Sequence, residues 1–149
     1  MIISLTELEN LQNKAVNRHL SGYNCAECVL MTMAEAEGIA GSNIPRIASG
    51  FGGGFGRRGL ICGCVSGSLM FLGLKYGRDN ETQKNDMLYL SVNKFCDEFE
   101  SRFGILDCKG LIGLDLRTDE GKKMFDELKI RETKCSNFVR AAIEILYSN

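Results

Sequence analysis

The sequence predicts an all-α protein: a single compact helical bundle with one central buried helix that follows a glycine-rich loop. Apolar residues recur at helical spacing, helix-capping residues precede several of those runs, and the alternating pattern of strands is nearly absent. The chain's 149 residues, 44% of them hydrophobic, can enclose one core. No linker, repeat or low-complexity tract divides residues 1–149, which read as one cysteine-rich helical domain.

The first helix opens with "SLTE", a capping box from Ser4 to Glu7, and continues through Leu5, Leu8, Leu11, Ala15 and Val16. Ser21-Gly22 breaks it. Asn24 is placed to cap a second helix from Cys25 to about Glu37, stopped by Gly38 and Gly41. Pro45 suits the first turn of a short third helix. The glycine loop, residues 50–59, leads into "ICGCVSGSLMFLGLKYG", apolar or small all round, which is the pattern of a buried helix. Gly63, Gly67 and Gly73 lower its helix propensity, so close approach of another backbone or a ligand is expected at each. The longest helix, Glu81 to Phe103, carries the stripe Leu88, Val92, Phe95, Phe99 and Phe103 and ends at Gly104. Asp107 is expected to cap the short turn "CKGLIG", Thr118 the next helix, and Thr133 the last, from about Cys135 to Tyr147.

Composition excludes several functions. A net charge of −1 without a basic run argues against nucleic acid as a partner. The longest charge-free stretch, Gly59 to Leu74, is too short to span a bilayer. The start, "MIISLTELEN", lacks a basic region followed by an apolar block, so no secretion signal and a cytoplasmic location are expected. There the seven cysteines stay reduced, and their odd number forbids complete internal pairing.

Cys25, Cys62, Cys108 and Cys135 fall at or within the first turn of a predicted helix, whereas Cys28, Cys64 and Cys96 lie further in. A helix start offers unpaired N–H groups and partial positive charge, which stabilise a thiolate as metal ligand or nucleophile. Four such starts converging on one point suit an anionic iron–sulfur cluster. Against this, a free cysteine also packs as a small hydrophobe. Cys96 neighbours the Val92/Phe99 stripe, and Cys135 shares a face with Val139, Ala142 and Leu146. Cys25 and Cys28 make a Cys-x-x-Cys pair that reads as a redox or metal motif or as a helix face. Val29 follows "CAEC" where c-type haem attachment needs histidine, and His19, the one histidine, reads as a surface residue. No haem is expected.

The loop "GFGGGFGRRG" lacks the flanking strands of a dinucleotide site and the Walker-type lysine. Two readings stand. In one, Gly52, Gly53 and Gly54 let the backbone pass near a cluster or partner subunit while Arg57 or Arg58 offsets thiolate charge. In the other, the loop is a flexible turn with solvated arginines.

The runs "SGYNCAECVL", "ASGFGGGFGRRGLICGCVSGSLMFLGLKYG", "FESRFGILDCKGLIGLDL" and "TKCSNFVRAAIEIL" together resemble the C_GCAxxG_C_C family of redox proteins, over about residues 16–147. That family is related to the iron–sulfur part of split-Soret cytochromes. The resemblance implies an α-helical redox module with a cysteine-ligated iron–sulfur centre, as a homodimer, and its cysteines correspond to Cys25, Cys62, Cys108 and Cys135. In the middle motif, alignment on Cys64 puts Val65 in the alanine's place and Gly67 one position early. Helix position favours Cys62, leaving Cys64 to packing.

The expectation is therefore a redox protein that binds a two-iron cluster on those four cysteines, with Gly53, Gly54 and Arg57 beside it, and passes electrons to a partner protein. Two alternatives remain: a thiol–disulfide oxidoreductase using Cys62 or the Cys25/Cys28 pair, and a zinc-stabilised interaction module without a redox cycle.

Overall fold

The helix signals of the sequence are met by local chemistry in a computed structural model that describes residues 4–149. Helix α1 (Leu5–Ser21) starts where the Glu7 N–H donates to Ser4 Oγ at 3.1 Å. Helix α2 (Cys25–Ala36) starts where the Glu27 N–H donates to Asn24 Oδ1 at 2.9 Å. A 3₁₀ helix over Arg46–Phe51 follows Pro45, whose peptide bond to Ile44 is cis. The glycine loop contains a tight turn, α3 (Gly52–Phe55), in which Gly53, Gly54 and Phe55 all take positive φ. Then come α4 (Gly63–Tyr76), α5 (Asp86–Phe103), α6 (Cys108–Ile112), α7 (Asp119–Glu127) and α8 (Ser136–Ser148). Among the described residues there is no strand, only one antiparallel bridge between Ile61 and Asp107.

Three boundaries depart from expectation. Helix α5 begins at Asp86 rather than Glu81. Asp107 stands at the N-cap of α6 without a side-chain capping bond. Thr133 does not cap α8: it lies inside a π-helical turn, Arg131–Cys135, and its hydroxyl donates back to the Lys129 carbonyl at 2.9 Å. That turn runs straight into α8, with the Ser136 N–H donating to the Arg131 carbonyl.

Helix α4 is the centre of the bundle. Its first half, Gly63 to Ser68, is buried on every side, and α2 packs along it more extensively than any other pair of elements. A Cβ on Gly67 would sit 2.5 Å from the Ala26 carbonyl oxygen, and one on Gly63 would sit 2.9 Å from the Ala26 nitrogen. The two glycines therefore serve contact with α2 of the same chain. Gly73 does not: a Cβ there meets nothing within 4 Å. Phe95 and Phe99 of α5 and Val139, Ala142 and Ile143 of α8 complete the core. No helix among the described residues is long and apolar enough to cross a membrane.

The two glycines give opposite expectations. Gly67→Ala overpacks the α2–α4 contact and should cost about 1–3 kcal/mol, whereas Gly73→Ala should stabilise α4 by up to about 1 kcal/mol. Urea unfolding of the two variants beside the parent reads both. Equal effects would contradict the packing described.

Candidate functional site

Helix starts and one loop place the sulfurs. Cys25 is the first residue of α2, directly after its capping Asn24. Cys62 is the N-cap residue of α4, and Cys108 the first residue of α6. The last two are held side by side: the Cys62 N–H donates to the Leu106 carbonyl at 2.8 Å and the Cys108 N–H to the Leu60 carbonyl at 2.7 Å. Cys135 is the exception to the helix-start argument. It ends the π-helical turn and precedes α8 without a break, so no open helix terminus activates it.

These four cysteines line one cavity of about 570 Å³, together with His19, Arg57, Lys122 and Arg131. The other three do not line it. Cys64 is fully buried and off the cavity, close enough to Cys25 and Cys62 for them to raise its pKa. The Cys28 thiol donates to the Cys25 carbonyl at 3.3 Å and is buried away from the cavity that Cys25 lines. Cys96 is half-buried on α5. A groove of similar volume, about 580 Å³, runs along α5 to the C-terminus and contains no cysteine.

The glycine loop divides in the same way. Gly53 and Arg57 line the cavity. Gly54 does not; a Cβ there would lie 2.5 Å from the Leu60 nitrogen and 2.8 Å from Cys108 Cβ, so its part is to let the loop close over Cys108. Arg58 is exposed and off the cavity.

His19 corrects the surface reading of the sequence. It lies in the last turn of α1 and is only 2% exposed. Its Nδ1 meets the Tyr23 carbonyl at 3.1 Å, and its Nε2 stands 4.0 Å from Cys25 Sγ. Arg131 Nη1 donates to the His19 carbonyl at 2.7 Å and to the Tyr23 carbonyl at 3.3 Å, tying this corner together. Donor atoms of His19, Cys25 and Cys135 all lie within 4.8 Å of one another. The missed signal was periodicity, since positions 8, 11, 15 and 19 share one helical face whose other members are apolar.

Crowding makes the sulfurs unequal. Hydrogen bonds from the Cys135 and Cys64 thiols, with help from His19, hold Cys25 well below the usual thiol value despite its burial. The same hydrogen bond, burial and the negative charge of Cys25 push Cys135 far up. Burial, then the charges of Cys62 and Cys25, push Cys108 up to about 12. Without a cation, Cys25 ionises readily while Cys108 and Cys135 resist ionising. A bound cation reverses that balance, because each further thiolate then faces positive charge. Four sulfurs and an imidazole in one cavity, with Arg57, Lys122 and Arg131 at its edge, thus fit a thiolate-ligated metal centre.

Fold and site together define an all-α protein whose thiols converge on a pocket suited to redox or metal chemistry. The chain belongs to the C_GCAxxG_C_C family, whose model, described as "Putative redox-active protein (C_GCAxxG_C_C)", matches residues 23–148. No curated protein and no solved structure matches the chain.

Alkylation against pH tests the inequality of the thiols. An ordinary thiol, pKa about 8.5, is only about 3% ionised at pH 7. In metal-free protein, Cys25 should react with iodoacetamide at half-maximal rate well below pH 8.5. Cys96, raised by burial and by Asp97 and Glu100, should do so above it. Peptide mapping that gives the two cysteines the same profile would refute the assignment.

Proposed function

We propose that Cys25, Cys62, Cys108 and Cys135 hold an iron–sulfur cluster of the two-iron type, and that the protein carries electrons in the cytoplasm to a partner protein. The observation that supports this most is the four-cysteine lining of one cavity, with Cys28 and Cys96 left outside it. When bound, such a cluster supplies one-electron transfer. The chain's own part is to gather the sulfurs, to bury them beneath the glycine loop, and to offset their charge with Arg57, Lys122 and Arg131. Met87, Tyr89 and Leu90 are exposed together on α5, and they offer an apolar face for the partner or for the second copy of a homodimer.

Anaerobic purification or reconstitution followed by iron and sulfide assay tests the reading. Replacing any one of the four cavity cysteines by Ala should sharply reduce bound iron and sulfide. Cys28→Ala and Cys96→Ala should leave both unchanged. Colourless protein that takes up no iron overturns the proposal, and stoichiometric zinc in freshly isolated protein replaces it with the structural-metal alternative.

A second reading is favoured by the closeness of Cys25 and Cys135, whose sulfurs lie within 4.8 Å of each other, with Cys25 held below the usual thiol value. The Cys25 thiolate would attack one sulfur of a substrate disulfide, forming a mixed disulfide while the leaving thiolate takes a proton. Cys135, after losing its proton, would then attack Cys25 Sγ. The Cys25–Cys135 disulfide closes, the second substrate thiol leaves, and two electrons have passed from the two cysteines to the substrate. Treatment of metal-free protein with a small disulfide, followed by peptide mapping, should find a Cys25–Cys135 bridge. Cys25 trapped only as the mixed disulfide would remove this reading.

A further inference from the structure

We infer that His19 is itself a metal ligand, binding through Nε2 the same metal ion as Cys25 and Cys135. The inference rests on the reading of the cavity as a site for a single metal ion, since in a two-iron cluster the four cysteines would already complete both irons. It adds a donor that the family description does not assign, since His19 precedes the matched residues 23–148.

The ring is held as a ligating imidazole is held. A ligating histidine presents one nitrogen to the metal and donates the other N–H to a carbonyl or carboxylate, which fixes both tautomer and orientation. Here Nδ1 lies 3.1 Å from the Tyr23 carbonyl, which can only accept, and 3.4 Å from Arg131 Nη1, which can only donate; the shorter contact places the proton on Nδ1. Arg131 fixes that carbonyl in turn, reaching it at 3.3 Å while holding the His19 carbonyl at 2.7 Å. The neutral ring then carries its lone pair on Nε2, and among the described residues the partner within reach of that lone pair is Cys25 Sγ at 4.0 Å. A buried histidine with a purely packing role would be expected to spend its second nitrogen on an oxygen or a backbone group. This one faces sulfur, in the cavity wall that the four cysteines share.

Distances permit the step. Two ligands at zinc-like bond lengths, about 2.3 Å to sulfur and 2.0–2.1 Å to nitrogen, lie roughly 3.6 Å apart across a tetrahedral ion. The observed 4.0 Å between Nε2 and Sγ, and the 4.8 Å limit for the whole trio, need closing by only about 0.4–1 Å on that scale. The donor set of two thiolates and one imidazole suits a borderline divalent ion, with the fourth position free for Cys62, Cys108 or a molecule in the cavity.

His19 is the one histidine of the chain, so any histidine signal reports it without a substitution. The test loads the full metal-free chain anaerobically with Co²⁺, once unlabelled and once grown with ¹⁵N-histidine. Thiolate ligation is read from the near-ultraviolet charge-transfer band. The expected result is that band together with an exchangeable imidazole N–H resonance, shifted far outside the diamagnetic window and split by the ¹⁵N label. His19→Ala should keep the band and lose the resonance. A charge-transfer band with the histidine resonances at their diamagnetic positions overturns His19 ligation and leaves a cysteine-only site standing. Failure to bind Co²⁺ at all also overturns it, and the iron and sulfide assay then decides the underlying metal reading independently.

Discussion

The backbone of α2 at Ala26 lies against the backbone of α4 at Gly63 and Gly67, with no room for a side chain between them. Everything at the site follows from that approach. It sets the start of α2 beside the start of α4, so Cys25 comes into the company of Cys62 and Cys64, although 36 residues separate Cys25 from its nearer partner, residue 61 being the last before it. It also buries the front half of α4, which costs helix propensity at two glycines and is offset by apolar burial along the rest of the interface. The single bridge between Ile61 and Asp107 then adds Cys108 to Cys62, and the π-helical turn before α8 brings in Cys135.

Gathering thiols this closely is an electrostatic problem, and the structure answers it asymmetrically. One sulfur, Cys25, collects hydrogen bonds from its neighbours and ionises easily; those neighbours, having donated, ionise with difficulty. Such an arrangement stores a strong response to positive charge. Burial and neighbouring negative charge hold Cys108 protonated, and the contact with Cys25, burial and charge hold Cys135; a cation entering the cavity offsets these, so binding and deprotonation reinforce each other. Arg131 positions the His19 corner through two backbone carbonyls. Cys28 does not line the cavity: its thiol donates to the Cys25 carbonyl, and burial and then the Cys25 charge keep it protonated.

Much of this was legible in the residues. Ser4, Asn24 and Thr118 cap the helices they were expected to cap, each through its side-chain oxygen. The all-round apolar character of residues 61–77 marked a helix whose first half, Gly63 to Ser68, is buried while Leu74 near its end is exposed, and the helix-start argument placed Cys25, Cys62 and Cys108 at helix starts. It failed for Cys135, because the backbone runs helically through Arg131–Cys135 and leaves no free terminus, although the sulfur still lines the cavity. It also missed His19, where residue type suggested a surface position while the spacing from Leu8, Leu11 and Ala15 pointed inward.

The sequence by itself determined the all-α class and the order of the helices, since capping and periodicity act over a few neighbouring positions. The tertiary structure alone decided which thiols share a cavity, that Gly67 and not Gly73 meets another backbone, and that His19 joins the sulfurs. Those outcomes depend on where distant helices cross, and packing of the whole core sets the crossing.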